Sequence, residues 1–270
     1  MHRDGAGELI YGMRLLEEND LFRLLYKPPL LHSVNSKNDK RSCVSAYEAC
    51  FPDDCRCFRK AVEDAGPFGF ADVDANEAGL LYRLDFPTSG LVVFARSPAA
   101  IRKLRQVRIV KTYSAECFFS GKAVDGLYFP EDYDKASRSL ARSGRLDFRS
   151  FFRSYEGKFV RPVLESELIG CKGKNVVPRL YETEITSQTG RFERTIGERL
   201  RFDVRIVRGF RHQIRSVLSS LSYPIAGDLQ YGGKASDDCA LIDGEIGLVC
   251  RGLDFSIDGV GYCMELTDEI

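Results

Sequence analysis

Leu80-Leu81-Tyr82-Arg83-Leu84-Asp85-Phe86-Pro87-Thr88-Ser89-Gly90 runs into Leu91-Val92-Val93-Phe94-Ala95, and the rest of the chain is read outward from here. Residues 91 to 95 are a short apolar run rich in β-branched side chains, bounded by Gly90 and by Ser97-Pro98, the pattern of a buried strand. Pro87 and Gly90 make the segment before it a turn, with Thr88 and Ser89 placed to bond the local backbone. Extended backbone sends residues two apart to the same side, so Arg83 and Asp85 share a face while Leu84 points inward. A carboxylate at the lip of a strand beside a guanidinium is a candidate ionised nucleophile. An Asp in a turn also serves purely structural ends, and these residues alone leave both readings open.

Downstream, Ser97-Pro98 has the form of an N-cap followed by Pro at the first helical position. The helix it opens carries Arg102, Lys103, Arg105 and Arg108. Val110 to Phe118 alternates as a half-buried strand and contains Lys111-Thr112-Tyr113. Strands are expected again at Leu180 to Thr186 and Leu200 to Val207, the latter alternating charged with apolar side chains. Gly209-Phe210-Arg211-His212-Gln213-Ile214-Arg215 follows, with Gly209 read as the corner and a helix expected from Arg211. Ile214, Val217, Leu218 and Leu221 would give that helix one apolar stripe, with Arg211 and Arg215 neighbours off it. Tyr223-Pro224-Ile225-Ala226-Gly227-Asp228 and Tyr231-Gly232-Gly233 come next, and Gly247 to Phe255 reads as a last strand.

Three of these stretches, in this order, resemble the RluA family of pseudouridine synthases. Arg83-Leu84-Asp85 with Thr88-Ser89-Gly90 is similar to its H-R-L-D-x-x-T-S-G motif, Lys111-Thr112-Tyr113 to its K-x-Y, and residues 209 to 215 to its third motif. The early strand Phe22 to Tyr26, ending at Lys27-Pro28-Pro29, is similar to the family's first core strand. The resemblance covers roughly residues 22 to 255. It implies an α+β fold built on a mixed, mainly antiparallel sheet with flanking helices. It implies isomerisation of specific uridines in structured RNA, ribosomal or transfer, with no metal or organic cofactor. Carried over by motif, Asp85 is the catalytic carboxylate, Arg215 its ionic partner and Tyr113 the residue that stacks on the base and handles a proton. Arg83 matches the arginine that enters the RNA stack, and Tyr82, Lys111, Arg211 and His212 are the further expected RNA contacts. Tyr82 stands where the family has His, and Phe210-Arg211-His212 replaces its R-T-H. A binding-only protein that keeps the groove but has lost turnover is the rival reading.

Composition agrees with a globular protein: 270 residues, 44% hydrophobic and 29% charged, with no apolar run approaching the ~20 residues of a membrane span. The acidic, polar N-terminus lacks a signal peptide's apolar core, and a cytoplasmic monomer is expected. Residues 1 to 20 read as a helix-like extension and 21 to 270 as one catalytic domain, leaving no room for a leading RNA-binding module. Net charge is zero, yet residues 1–95 carry −4, 96–215 carry +12 and 216–270 carry −8. A basic middle between acidic ends is the trace a nucleic-acid groove leaves, or a surface whose charges mix on folding. Within it, residues of about 120–178 form a basic and aromatic insertion that includes Arg138, Arg142, Arg145, Arg149, Arg153, Lys158 and Arg161. An RNA contact and a surface helix with an apolar stripe both suit that insertion. Cys43, Cys50, Cys55 and Cys57 cluster without paired C-x-x-C spacing or a nearby His, so reduced thiols rather than a metal site are expected.

Overall fold

The computed structural model describes residues 9–121, 131–155, 159–168, 175–234 and 241–266. Two compact units divide the chain: residues 1–109 with 250–270, and residues 110–249. In the first unit β1 (Arg14–Glu18) and β2 (Phe22–Lys27) pair antiparallel, followed by α1 (Cys43–Cys50), α2 (Pro52–Asp64), α3 (Gly66–Gly69), β3 (Ser89–Ala95) and α4 (Pro98–Gln106). The second unit holds β4 (Val110–Phe118), α5 (Glu131–Ser143), β5 (Arg145–Tyr155), β6 (Phe159–Val163), α6 (Glu165–Leu168), β7 (Val176–Ser187), β8 (Arg199–Ile206) and α7 (Gln213–Ser220). The chain then returns through β9 (Leu248–Ile257) and β10 (Val260–Glu265), which complete the first unit from Cys250 onward.

Strand order is β1-β2-β3-β9 in the first unit, with β10 antiparallel on β9, and β4-β8-β7-β5-β6 in the second. The pairs β2–β3, β4–β8, β7–β8, β5–β7 and β5–β6 are all antiparallel. The expected α+β class with a mainly antiparallel sheet is what the chain adopts.

All seven residues of β3 are buried, which is why this segment reads as a continuous apolar run rather than an alternation. Phe94 from β3 stacks on Tyr47 of α1 at 4.1 Å between centroids. Beneath them the buried Arg23 guanidinium is neutralised by Glu18 at 2.9 Å and by Asp54, and bonds the Tyr47 hydroxyl at 2.9 Å. Burying a charge demands partners of this kind. Ser42 caps α1 in a reciprocal capping box with Ser45, and Pro52 opens α2 with Asp53 and Asp54 in its first turn, where the helix dipole favours anions. Pro52 therefore starts a second helix directly after α1.

Two elements differ from expectation. Arg14–Glu18, read as helix-like, is a strand: pairing with β2 sets its conformation, and a register shift between Leu15 and Glu17 blurs the alternation that would have announced it. The basic and aromatic segment is woven into the sheet as α5, β5 and β6, with Tyr133, Phe148 and Phe152 buried. Its arginines meet carboxylates: Arg138 with Asp134, Arg145 with Glu184 at 3.2 Å, Arg149 with Glu182 at 3.0 Å and Arg161 with Glu167 at 2.7 Å. Lys158 lies outside the described residues, as do residues 1–8 of the N-terminal extension. Among the described residues no helix is long and apolar enough to cross a membrane.

Candidate active site

In the first unit the turn before β3 is built around Asp85. Leu84 is buried, Arg83 is exposed and Asp85 is half-buried, the alternation an extended approach to the turn requires. The Thr88 N–H donates to the Asp85 carbonyl at 3.1 Å and closes the turn. Two side chains, Lys27 at the end of β2 and Ser33 after it, fasten it. Ser33 Oγ donates to the Leu84 carbonyl at 2.7 Å and accepts from the Leu84 N–H at 3.0 Å, so one hydroxyl satisfies both backbone groups of that residue. Lys27 is fully buried, and its Nζ donates to the carbonyls of Pro28 (3.0 Å), Phe86 (3.2 Å) and Thr88 (2.6 Å). Burial pushes the Lys27 ammonium down to about 8, against the upward pull of Cys43 and Asp85.

Tyr82 turns its hydroxyl inward to the Leu91 carbonyl at 2.9 Å, and burial holds the phenol well above its usual range. Tyr82, an expected RNA contact, also props the start of β3 through this bond. Arg83 projects outward and pairs with Glu77. At the far side of the turn Gly90 has φ +119, and a Cβ there would collide with the backbone of Cys250. Only glycine serves both needs.

In the second unit β4 alternates with Lys111, Tyr113, Ala115 and Cys117 buried. Tyr113 pairs in register with Val204 of β8. Lys111 is buried as well, and its Nζ donates to the Val207 carbonyl at 3.0 Å, so this cation braces the end of β8 rather than standing open to phosphate. The third motif forms a turn and then α7. The left-handed residue of that turn is His212, at φ +53, whereas Gly209 has no positive φ and no close neighbour that would exclude a side chain. The corner expected at Gly209 therefore lies three residues later, and the helix starts at Gln213.

Phe210 stacks on Phe152 at 5.0 Å and meets Tyr181 edge-on at 5.4 Å, which accounts for an aromatic residue where the family has a basic one. Gln213 holds the turn: its Oε1 accepts from the Phe210 N–H at 2.9 Å while Nε2 donates to Thr183 Oγ1 at 2.9 Å. Arg211, in the turn, is exposed; Arg215, in the first turn of α7, is buried. Every residue of α7 is buried, so burial extends all round the helix and not only along the expected apolar stripe. Its serines tolerate this because Ser216, Ser219 and Ser220 each donate to a backbone carbonyl.

Arg215 donates through Nε and Nη2 to the two oxygens of Asp228 at 2.7 and 2.8 Å, a parallel fork between two buried side chains. Nη2 also donates to Gln230 Oε1 at 2.9 Å, and the guanidinium lies 5.0 Å from the centre of the Tyr231 ring. The Tyr231 hydroxyl accepts from the Val160 N–H at 3.0 Å and lies 2.9 Å from His212 Nδ1. Tyr231 thereby ties His212 to Arg215. Gly227 and Gly233 have no room for a Cβ, which would meet the carbonyls of Glu245 and Ile225.

The residues expected from sequence thus gather as Tyr82, Arg83 and Asp85 in one unit and Lys111, Tyr113, Arg211, His212 and Arg215 in the other. Sequence reasoning gave no role to Lys27, Ser33, Asp228, Gln230 or Tyr231. The signals were there for two of them: a lysine closing the first family-like strand, and an Asp directly after a glycine in a family-like stretch. Cys43 and Cys55 are buried thiols pushed up to about 12 and about 11, while Cys57 is exposed. Among the described residues no group of three or more His, Cys, Asp or Glu is disposed to hold a metal ion.

The fold is that of a known class. The human protein RNA pseudouridylate synthase domain containing 1 matches with a TM-score of 0.58 at 16% identity, over 99% of this chain and 86% of that one. The RNA pseudouridylate synthase family model matches residues 69–220, which include Asp85, Tyr113 and Arg215. The chain belongs to the RNA pseudouridylate synthase family, and its relatives are of the RluA type. It is 28% identical over 158 residues to tRNA pseudouridine synthase C of Vibrio cholerae, covering 56% of this chain and 54% of that protein. It is 29% identical over 158 residues to an uncharacterised RNA pseudouridine synthase of Aquifex aeolicus, covering 58% and 41%. The chain spans about half the length of the curated relatives it matches.

Proposed function

We propose that this protein is an RNA pseudouridine synthase acting on uridines of structured RNA, with transfer RNA the first substrate to test. The observation that carries the reading is the construction of the Asp85 turn. A half-buried carboxylate is presented on a backbone held by Ser33 at Leu84 and by the buried Lys27 at Phe86 and Thr88. A turn fixed at so many points suits a group that must meet a reacting atom within a fraction of an ångström.

The reaction is an isomerisation. The bond from ribose C1′ to uracil N1 breaks, the base rotates, and a bond from C1′ to C5 forms while C5 loses a proton and N1 gains one. No electrons are exchanged with a partner. Asp85 supplies the carboxylate that engages the sugar or its proton. Tyr113 stacks on the extruded base and handles the proton leaving C5. Arg215 is the cationic partner that the family motif assigns to Asp85, and its orientation is set by the fork to Asp228. Arg83, Arg211 and His212 supply RNA contacts from the surface of their units.

The test is a map of pseudouridine in cellular RNA from wild type, a deletion strain and a strain carrying Asp85→Asn. A site lost in both mutants supports the synthase. An unchanged map with RNA binding intact supports the binding-only protein instead.

A further inference from the structure

Phe86 follows the proposed catalytic carboxylate directly, and the residue is 40% exposed. Single exposed apolar side chains are ordinary on any surface. This one differs in its support. The imidazole of His32 backs it at 4.5 Å between ring centres, tilted by 37°. Its carbonyl is bonded by Lys27 at 3.2 Å, Pro87 follows it, and the His32 carbonyl accepts from the Cys43 N–H at 2.8 Å. Both rings therefore stand on backbone that is already fixed, so a flat ligand meets them with little further loss of freedom. On the same approach to the turn Arg83 is exposed and paired with Glu77.

We propose that Phe86, backed by His32, is a stacking platform for the unpaired base beside the target uridine. The inference rests on the synthase reading above and adds the substrate class: RNA whose target uridine has an unstacked neighbour, as in a loop or single strand, rather than one inside a continuous helix.

The probe is a short single-stranded oligoribonucleotide with 2-aminopurine next to a central uridine, titrated with the full chain. Binding is followed by anisotropy and stacking by quenching of the 2-aminopurine. Wild type and Phe86→Tyr are expected to bind and quench. Phe86→Leu, which keeps apolar bulk against His32, is expected to bind about 5- to 140-fold more weakly, the range that base–aromatic stacking converts to. It should lose the quenching while the dependence of affinity on salt keeps its slope, because no phosphate contact is removed. Equal affinity and quenching in wild type and Phe86→Leu overturns the platform, as does failure of wild type to bind or quench the probe. Either result leaves the pseudouridine map untouched, so failure of the platform is distinguishable from failure of the synthase reading.

Discussion

Asp228→Asn is the substitution whose effect follows most directly from the geometry. It removes one charge of a pair whose side chains are 1% and 5% exposed and which share two parallel hydrogen bonds of 2.7 and 2.8 Å. Breaking a buried pair from one side costs about 3–5 kcal/mol. An amide keeps one acceptor for the fork, so the lower end, about 3 kcal/mol, is expected. For a protein of this size that lowers the melting temperature by about 6–12 °C. Arg215→Met alone should cost a similar amount. The two together should cost clearly less than the sum, because the fork that each single variant breaks can be lost only once. Calorimetry and urea titration of the four proteins measure this. A loss below about 1 kcal/mol for Asp228→Asn, or strict additivity in the double variant, refutes the reasoning.

Lys27 gives a pH signature. Its ammonium is pushed from 10.5 down to about 8, so between those values the folded chain sheds a proton that the unfolded chain keeps. The unfolded state then binds more protons, and stability relative to Lys27→Met rises with pH through this window, by about 1.4 kcal/mol between pH 7 and 9. A difference that stays flat or falls over that range contradicts the buried ammonium. Ser33→Ala strips both partners from the buried Leu84 backbone and should cost about 1–3 kcal/mol by urea denaturation, with slower pseudouridine formation. Gly90→Ala places a Cβ against the Cys250 backbone at φ +119, and the variant is expected to be insoluble or to melt far below wild type. A soluble Gly90→Ala with an unchanged melting temperature would show that β3 and β9 separate freely.

The strands were legible where one face is buried or both are. β4 and β8 announce themselves by alternation, and β3 by its apolar run, because burial writes a period into the chain. α4 was legible from its cap, Ser97 accepting from the Ala100 N–H at 3.1 Å with Pro98 next. β1 was not, because both its faces are partly open and a bulge breaks its phase. α7 was misread as amphipathic because serines look polar until their hydroxyls are seen donating to carbonyls. Motif order put Asp85, Tyr113 and Arg215 on the page from sequence. The groups that orient them were hidden, since Lys27 and Ser33 lie more than fifty positions before Asp85, and Asp228 lies beyond the helix it serves. Such partners become visible only once the chain folds back on itself.

The arginines of β5 have a thermodynamic consequence. Arg145 and Arg149 already face glutamates across the ladder to β7. A phosphate arriving there would displace a carboxylate, an exchange that liberates no condensed cation from the nucleic acid beyond what the glutamate takes back. The salt exponent for RNA binding should therefore fall well short of the twelve surplus positive charges written between residues 96 and 215.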